Sequence, residues 1–313
     1  MESVGSLKFA VFGNPILHSK SPQIFNSFFA ASGKEAFYTR IRPLQCADIP
    51  TIIRSLAIAG ANITTPFKEE IIPLLDSISH EAKIINGVNT IINRNGKLTG
   101  HNTDYLGVVH AIEQEGFSIK GSRSLVIGAG PAGRAAVYGM HLSGSKVTIA
   151  NRTLEKAQQM ANMFHCNVLS LDEMKEKLES FDFIISSTSP EGNPLLKRKI
   201  PKKTVVLDAN YRDTNLLKMS EIEGFTLISG ESWLLGQAQS AIELFFNTKV
   251  DLAILKMQFD DSPNFTQLNV KQYDKTIDIP SFRSIDLIIG GDGCTKLMFN
   301  TLLNQEVSLV KTI

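Results

Sequence analysis

The fold is decided by the stretch Ser124-Leu125-Val126-Ile127-Gly128-Ala129-Gly130-Pro131-Ala132-Gly133. Its four leading residues predict a buried strand, and the residues from Arg134 to Met140 predict a helix, so the pattern G-x-G-x-x-G joins strand to helix. Gly128 permits the tight turn, Gly130 lets the backbone approach a pyrophosphate, and Gly133 allows close packing of the helix on the strand. The N–H groups at the helix start suit phosphates. The stretch therefore predicts a dinucleotide-binding unit.

The residues after the next strand indicate which dinucleotide is bound. The segment Lys146–Ala150 predicts a strand, and Asn151-Arg152-Thr153 follows it. An acidic residue at this point would bind the ribose 2′-hydroxyl of NAD, but this chain has no carboxylate there. Arg152 offers a planar guanidinium to a 2′-phosphate, although an isolated arginine would equally be a solvated loop residue. Together with the glycine motif, the segment predicts NADP rather than NAD.

Three further apolar segments predict strands of the same sheet: Phe181–Ser189, Thr204–Asp208 and Phe225–Gly230. Their alternation with helical segments predicts a doubly wound parallel sheet. Ligands of such sheets bind at the carboxyl ends of the strands, where Thr188, Ala209 and Gly230 lie. Each of these three would equally be a small loop residue.

The composition excludes several other classes of protein. The chain has 313 residues, 43% hydrophobic and 20% charged, with a net charge of +1, which is typical of a globular protein with two domains. The balanced charge argues against nucleic acid or an anionic membrane as a partner. Cys46, Cys166 and Cys294 are far apart, so they predict neither a disulfide framework nor a metal site. Without an N-terminal apolar run, the expected location is the cytoplasm.

The first half of the chain carries hydroxyl groups beside a predicted helix start. Lys8–Phe12 predicts a strand, and Ser21-Pro22 predicts the start of a helix that ends near Gly33. Ser19 and Ser21 thus gather hydroxyls where a carboxylate or phosphate would be bound. For Ser21 the simpler alternative is an N-cap alone.

A lysine lies in an unusual place after the next turn. Thr65 predicts an N-cap and Pro66 the first residue of a helix that continues to Leu75. Lys68 would then lie in the first turn, where the helix dipole disfavours a cation and favours proton release. The alternative is a solvated lysine neutralised by its acidic neighbours Glu69 and Glu70.

A hairpin is predicted to bring further polar groups together. Asn95-Gly96 predicts a two-residue turn between segments 88–93 and 97–102. In that register Asn89 lies opposite Asn102, with Cβ atoms roughly 4.5–5.5 Å apart, and hence close to Asp104. Such groups suit a polyhydroxylated ring, or they cap the hairpin and the helix that follows. Gln237, on a later amphipathic helix, is either a substrate donor or an exposed polar residue.

The chain resembles a known family over residues 9 to 246. The motifs that carry the resemblance are Gly-Asn-Pro-x-x-His-Ser-Lys-Ser-Pro at 13–22, Asn-x-Thr-x-Pro-Phe-Lys at 62–68, Val-Asn-Thr at 88–90, Asn-Thr-Asp at 102–104, Gly-Ala-Gly-x-Ala at 128–132, Asn-Arg-Thr at 151–153 and Gln-Ala at 237–238. Their order and spacing are similar to those of the shikimate dehydrogenase family.

The resemblance implies a reaction and a set of residues. The reaction would be the reversible NADPH-dependent reduction of 3-dehydroshikimate to shikimate, in the pathway to chorismate and aromatic amino acids. Lys68 would donate and accept the proton, paired with Asp104, either as a true base or as an electrostatic stabiliser. Substrate would be held by Ser19, Ser21, Thr64, Asn89, Asp104, Tyr211 and Gln237. NADP would be held by Gly128, Ala129, Gly130, Pro131, Ala132, Asn151, Arg152, Thr153, Lys156, Thr188, Ala209 and Gly230.

The resemblance also implies the domain organisation of an α/β protein. Residues 1–104 and 231–250 would form an N-terminal α/β substrate-binding domain, and residues 105–230 a Rossmann NADP domain, with the active site in the cleft between them. Residues 251–313 match no part of the family and form a C-terminal extension of unknown role and structure. Its strand-like runs at 265–270, 277–279 and 285–293 suggest an added β unit, a homodimer contact or a tail.

Some features depart from the family or suggest alternatives. Gly133 stands where many members carry serine or alanine, the run Arg212-Asp213-Thr214-Asn215 replaces a common Thr-Pro, and Glu231-Ser232-Trp233 is also uncommon. A quinate/shikimate dehydrogenase that favours NAD is one alternative, which segment 151–153 disfavours. A non-catalytic dinucleotide sensor is another, but it would be expected to lack Lys68 or Asp104. With only a short leader before Phe9, a fused dehydroquinate dehydratase activity is not expected.

Overall fold

A computed structural model describes residues 6–190, 192–196, 198–211, 215–260 and 285–288. The chain divides into two units, one of residues Met1–Asn102 with Ala241–Ile313 and one of residues Thr103–Ser240. These divisions differ from the predicted boundaries at 104/105 and 230/231, and the functions assigned to the two parts stay predictions. None of the described helices has the length and apolar character needed to cross a bilayer.

The first unit is built on a mixed sheet with the strand order β13-β2-β1-β3-β5-β6-β4. Its strands are β1 Leu7–Phe12, β2 Ala36–Pro43, β3 Ile58–Ile63, β4 Ser77–Ile78, β5 Thr90–Arg94, β6 Lys97–His101 and β13 Ile285–Ile288. Its helices are α1 Ser21–Ala31, α2 Asp48–Ser55, α3 His80–Ile85 and α10 Leu252–Asp260. Strand β1 pairs in parallel with both β2 and β3, and β5 runs antiparallel to β3. The carboxyl ends of β1, β2 and β3 therefore share one edge with the start of β5.

Aromatic side chains fill one layer of this unit. The predicted apolar stripe of α1 is confirmed, since Ile24, Phe25 and Phe29 are at most 1% exposed. The ring of Phe9 lies 5.3 Å from that of Phe29 and 5.0 Å from that of Phe245, centroid to centroid. This packing fixes the position of the helix whose first turn carries Ser21.

The second unit contains six parallel strands in the order β12-β11-β10-β7-β8-β9. They are β7 Arg123–Ile127, β8 Lys146–Ala150, β9 Asn167–Leu169, β10 Phe183–Ser186, β11 Val205–Asp208 and β12 Thr226–Ile228. The helices are α4 Asp104–Gln114, α5 Pro131–Leu142, α6 Leu154–Phe164, α7 Leu171–Glu176, α8 Asn215–Glu223 and α9 Gly230–Phe246, whose last residues belong to the first unit. Chain order reverses between β7 and β10, which is the doubly wound arrangement of dinucleotide-binding sheets. The predicted α/β fold class is confirmed.

The hairpin is confirmed with the predicted register. Thr90 pairs with His101, Ile92 with Thr99, and Arg94 with Lys97. Asn95 and Gly96 have φ values of 53° and 84°, as a two-residue turn of this type requires.

The predicted helix after Thr65 is wrong. The Thr65–Pro66 peptide bond is cis, residues 65–71 form turns, and a single 3₁₀ turn covers Ile72–Leu74. The reason lies in Pro73, because an α-helix through this segment would lack its N–H and would bring its ring against the carbonyl of Glu69. That carbonyl instead accepts a hydrogen bond from the N–H of Ile72 at 3.2 Å. Lys68 therefore does not lie in the first turn of an α-helix, where a helix dipole would act on it.

Part of the C-terminal extension belongs to the first sheet. Strand β13 pairs antiparallel with β2, with Ile285 opposite Pro43 and Ile288 opposite Arg40. The other strand-like runs, 265–270, 277–279 and 289–293, lie outside the described residues.

Candidate active site

The predicted substrate residues of the first unit gather at the carboxyl edge of its parallel strands. Ser19 follows β1, Thr64 follows β3, and Asn89 immediately precedes β5. The N–H of Thr64 donates to the carbonyl of Phe12 at 2.9 Å, and the N–H of Ile63 donates to that of Asn89 at 2.8 Å. Three chain segments far apart in sequence thus meet at the place where ligands of α/β sheets bind.

Ser19 and Ser21 form a buried pair of hydroxyls, 8% and 5% exposed. The Ser19 hydroxyl donates to that of Ser21 at 3.2 Å and accepts from the Ser21 N–H at 3.3 Å. Helix α1 begins at Ser21, its N-cap is Lys20, and no side chain caps it, so the alternative of Ser21 as an N-cap is wrong. Arg40, which the sequence reasoning missed, donates from Nε to the carbonyl of Ser19 at 2.9 Å. A guanidinium beside two hydroxyls suits an anionic group.

Lys68 lies on the loop that leaves β3 and is half-buried. The carbonyl of Lys68 accepts from the N–H of Val88 at 2.8 Å, and the N–H of Phe67 donates to the carbonyl of Thr64 at 3.0 Å. Phe67 is itself buried in the core at 4% exposure. These contacts place the Lys68 backbone between Thr64 and the segment that carries Asn89.

Asn89 is 2% exposed, which is rare for an amide side chain unless it is hydrogen-bonded. Its N–H donates to the carbonyl of His101 at 3.0 Å, and its Oδ1 accepts from the Thr90 hydroxyl at 3.0 Å. Asn102, the predicted neighbour, donates instead to the carbonyl of Gly87 at 2.8 Å and braces the hairpin. Asn102 therefore has a structural role in the hairpin, whereas Asn89 Oδ1 is bonded to a neighbouring side chain.

In the second unit, Asp104 and Gln237 lie on two helices in close contact. Asp104 opens α4 and is 7% exposed, and its carbonyl accepts from the Trp233 indole N–H at 2.9 Å. A side chain at Gly107 would approach the N–H of Gln237 to 2.9 Å, so α4 and α9 pack almost backbone to backbone there. Gln237 is only 8% exposed, which makes the alternative of an exposed polar residue wrong.

The glycine turn between β7 and α5 has the geometry that a dinucleotide requires. Gly128 has a φ of 111°, which favours glycine, and a Cβ at Gly133 would collide with the Gly128 carbonyl. No described atom lies within 4 Å of the place a Cβ would take at Gly130, the N-cap of α5. The open space at Gly130, in front of the helix N-terminus, fits a pyrophosphate. Ala129 completes the turn, and Pro131 and Ala132 are the first two residues of α5.

The carboxyl end of β8 carries the predicted 2′-phosphate residues. Arg152, Thr153 and Lys156 are exposed, while Asn151 is half-buried and donates from Nδ2 to the carbonyl of Thr153 at 2.9 Å. Glu155 lies in the first turn of α6, so the cations here are not isolated from negative charge. The planar guanidinium of Arg152 has the geometry to donate to a phosphate, so its predicted role stays a prediction.

The residues predicted for the nicotinamide end meet at the carboxyl ends of β10 and β11. Asn210, which the sequence reasoning missed, donates from Nδ2 to the carbonyl of Thr188 at 2.9 Å and to Asp208 Oδ1 at 2.8 Å. A Cβ at Gly230 would lie 2.5 Å from the carbonyl oxygen of Ala209, so these two backbones touch. Tyr211 follows directly, half-buried, and its variable neighbours 212–214 lie outside the described residues.

Comparison with known proteins agrees with this geometry. Residues 11–91 match the family model of the shikimate dehydrogenase substrate binding domain, and residues 111–212 match that of shikimate / quinate 5-dehydrogenase. A curated relative, shikimate dehydrogenase (NADP(+)) of Aquifex aeolicus, is 34% identical over 260 residues, covering 81% of this chain and 96% of the relative.

Two solved structures show the same fold. The crystal structure of the shikimate dehydrogenase from Aquifex aeolicus has a TM-score of 0.76 at 32% identity, covering 83% of this chain and all of the other. Shikimate 5-dehydrogenase from Thermus thermophilus, in complex with NADP(H) and shikimate, has a TM-score of 0.74 at 30% identity and covers 81% of this chain and 98% of the other.

Proposed function

Because the chain belongs to the shikimate dehydrogenase family, we propose that Lys68 and Asp104 are the catalytic pair with which it interconverts 3-dehydroshikimate and shikimate. The reaction is NADP-dependent and serves the biosynthesis of chorismate and aromatic amino acids. The observation that carries the residue assignment is the convergence of Ser19, Thr64, Lys68 and Asn89 on one sheet edge.

The substrate has a carboxylate and several hydroxyls, which match different parts of the candidate site. The paired hydroxyls of Ser19 and Ser21 would bind the carboxylate, with the Arg40 guanidinium on the adjacent carbonyl adding positive potential. The ring hydroxyls would be bound by Thr64, Asn89, Asp104, Tyr211 and Gln237. Of these, Asn89, Asp104 and Gln237 are buried, and two of them make side-chain hydrogen bonds that offset the cost of burial: Asn89 Oδ1 accepts from the Thr90 hydroxyl, and Gln237 Nε2 donates to the carbonyl of Leu234 at 3.0 Å.

The second unit would hold the cofactor and would also supply Asp104, Tyr211 and Gln237 to the substrate. The first unit would bind the substrate through Ser19, Ser21, Thr64 and Asn89. Open space at Gly130 and the start of α5 would receive the pyrophosphate, and Arg152 would bind the 2′-phosphate. Ala209 and Gly230 would line the nicotinamide end, and Thr188 would also bind the cofactor. When bound, NADPH supplies the hydride that reduces the ketone carbon of 3-dehydroshikimate.

Lys68 would handle the proton. Its ammonium group would donate a proton to the carbonyl oxygen as negative charge develops there, and in the reverse direction its amine would take the proton from the alcohol. A positive charge at that oxygen would also stabilise the transition state before the proton moves. Asp104 would hold the ammonium group in place and accept a hydrogen bond from the substrate.

The test is an assay at 340 nm with shikimate or quinate, each with NADP or NAD. The wild-type chain should be most active with shikimate and NADP. Lys68→Ala should lower kcat roughly 10²–10⁴-fold, the usual contribution of a general acid–base group, without changing NADPH affinity. Lys83→Ala removes an exposed lysine from α3 and serves as the control. Near wild-type turnover of Lys68→Ala would refute the assignment.

Lys68→Arg separates the two roles of the lysine. Arginine keeps the positive charge but does not give up its proton at neutral pH. Partial activity of this variant indicates electrostatic stabilisation, and activity as low as that of the alanine variant indicates proton transfer.

Location and assembly are further proposals. Cys46 and Cys166 are free thiols, and burial raises their pKa to about 12 and about 11, so both stay protonated and unreactive, as suits the cytoplasm.

A homodimer is the proposed assembly. Because β13 already pairs with β2, strand addition along β2 is not the proposed contact. Sedimentation velocity would measure the mass.

A further inference from the structure

We propose that Asn62 and Thr90 are positioning residues that fix the side-chain amide of Asn89, through a buried hydrogen-bond chain that begins at Tyr38. The inference rests on the proposed role of Asn89 in binding the substrate. Neither Asn62 nor Thr90 is assigned to the substrate or the cofactor. Both act on Asn89 from the side of the sheet interior.

The chain of hydrogen bonds is continuous. The Tyr38 hydroxyl donates to Asn62 Oδ1 at 2.6 Å, Asn62 Nδ2 donates to the Thr90 hydroxyl at 3.0 Å, and the Thr90 hydroxyl donates to Asn89 Oδ1 at 3.0 Å. Asn62 Nδ2 also donates to the Asn89 carbonyl at 3.2 Å. The sheet makes these contacts possible because Tyr38 on β2 and Asn62 on β3 lie on either side of β1, and Asn62 pairs directly with Thr90 on β5.

Each link has a fixed direction. The Tyr38 phenol is 3% exposed, and burial raises its pKa well above the ordinary value of 10.0, so it remains a donor throughout the working pH range. The carbonyl of Asn89 can only accept, so it requires Asn62 to present Nδ2 on the side of Asn89 and Thr90, which leaves Oδ1 facing the Tyr38 phenol. Thr90 accepts from that NH₂ group, and its own proton therefore goes to Asn89 Oδ1. The NH₂ end of Asn89 consequently points away from Thr90.

The direction matters because an amide has one acceptor end and one donor end. Either end of Asn89 would fit the same space, and only hydrogen bonds decide between them. A rotated amide would present a carbonyl oxygen where the NH₂ group now lies, reversing its hydrogen bonding to a substrate hydroxyl. The chain also reaches the predicted carboxylate site, since Ser21 is hydrogen-bonded to Tyr38.

The burial of Asn62 and Thr90 supports a positioning role for both side chains. Thr90 is 0% exposed and Asn62 is 5% exposed, in strands where apolar side chains would otherwise pack. Buried polar groups are costly unless all their hydrogen bonds are made, and a fully satisfied network fixes one arrangement. Asn62 uses its oxygen and both protons of its NH₂ group within this chain.

The experiment compares Thr90→Val with Thr90→Ser. Valine keeps the shape of threonine but loses the hydroxyl, whereas serine keeps the hydroxyl. Thr90→Val should raise the KM for shikimate roughly tenfold, the effect of one lost hydrogen bond to a buried group, and leave the KM for NADP unchanged. Thr90→Ser should recover most of that loss. Calorimetric titration of the cofactor-free protein with shikimate should show the same order of affinities.

The control is Thr204→Val in the second unit. Thr204 is also 0% exposed, and its hydroxyl donates to the carbonyl of Phe181 at 3.1 Å, so this change removes a comparable buried hydrogen bond. Its shikimate KM should equal that of the wild-type chain. Tyr38→Phe, which keeps the ring stacked 4.2 Å from Phe25, is the second variant should Thr90→Val fail to fold. It should raise the shikimate KM about twofold to fivefold.

Two results would overturn the inference. One is an unchanged shikimate KM in both Thr90→Val and Tyr38→Phe while the wild-type chain oxidises shikimate. The other is a Thr90→Ser variant as impaired as Thr90→Val, because the lost methyl group rather than the hydroxyl would then be responsible. A wild-type chain that does not oxidise shikimate refutes the proposed function itself, and the inference with it.

Discussion

Gly130 immediately precedes α5 and Gly133 lies in its first turn, yet the structure predicts opposite consequences for replacing each by alanine. A Cβ at Gly133 would collide with the Gly128 carbonyl oxygen, lie 2.9 Å from the Gly128 carbonyl carbon and 3.0 Å from Ser187 Oγ. Ordinary contacts begin at 3.4 Å. A Cβ at Gly130 would meet no described atom within 4 Å, and its backbone, at φ −83° and ψ −175°, accommodates alanine.

The expected energies follow from these contacts. Overpacking of this kind costs about 1–3 kcal/mol, and the better helix propensity of alanine returns up to about 1 kcal/mol. Gly133→Ala should therefore lower the free energy of unfolding by about 1–2 kcal/mol. Gly130→Ala should change it by only about 0.5 kcal/mol, since alanine is a somewhat poorer N-cap than glycine. Its methyl group should instead weaken NADPH binding at least tenfold, about 1.4 kcal/mol, by filling the space proposed for the pyrophosphate.

Two measurements separate the variants. Urea unfolding can be followed by the fluorescence of Trp233, the single tryptophan, which is buried in the same unit. NADPH affinity is measured by calorimetry on the folded proteins. Wild-type NADPH affinity in Gly130→Ala would show that the pyrophosphate does not approach this backbone. Wild-type stability in Gly133→Ala would show that α5 moves away from the turn at no cost.

Three further changes test other parts of the structure. Gly60→Ala would bring a Cβ to 2.5 Å from the Phe245 ring and should cost about 1–3 kcal/mol of unfolding free energy, measured in urea; wild-type stability would contradict the tight packing. Burial lowers the pKa of His101 from its ordinary value of 6.5, although the negative charge of Glu81 acts in the opposite direction. The neutral imidazole therefore stabilises the fold above pH 6.5, and this stabilisation is lost as the pH falls through the pKa of the folded state. His101→Asn should reduce the change in the free energy of unfolding between pH 7 and 5. An unchanged pH dependence would mean that other groups cause it. Arg152→Ala should raise the KM for NADP about tenfold or more and leave that for NAD unchanged, whereas equal effects would refute 2′-phosphate binding.

Local patterns were sufficient to predict five of the six strands of the second unit, while the short strand β9 was not predicted. Strand, glycine turn and helix are adjacent in sequence, and the positions of Gly128 and Gly133 follow from backbone geometry alone. The predicted strand Phe181–Ser189 was too long, since β10 ends at Ser186. The residues beyond it, up to Thr188, are the loop at the carboxyl edge. Apolar and small residues continue past the last ladder bond there, so composition alone does not show where pairing stops.

The first unit shows where local patterns fail. A period of apolar residues predicted a helix at 66–75, but one proline at position 73 outweighs that signal. Tyr38 and Asn62 were missed because their contact depends on the parallel pairing of β1 with both β2 and β3. A hydrogen bond between residues 24 apart becomes evident only when the strand order is known.

Because the predicted helix does not form, the role proposed for Lys68 depends on where its loop holds it rather than on a helix dipole. In the described part of the chain Lys68 does not lie in the first turn of an α-helix, so the dipole expected from such a helix is not available there. What the structure provides instead is restraint, because buried Phe67 anchors one side of Lys68 and the bond from Val88 to its carbonyl anchors the other. These contacts restrain the backbone at Lys68, so the loop need not rearrange when charge develops on a nearby oxygen, and preorganisation of this kind favours electrostatic catalysis. For the catalytic role proposed for Lys68, this restraint of a turn takes the place of the helix that the sequence predicted.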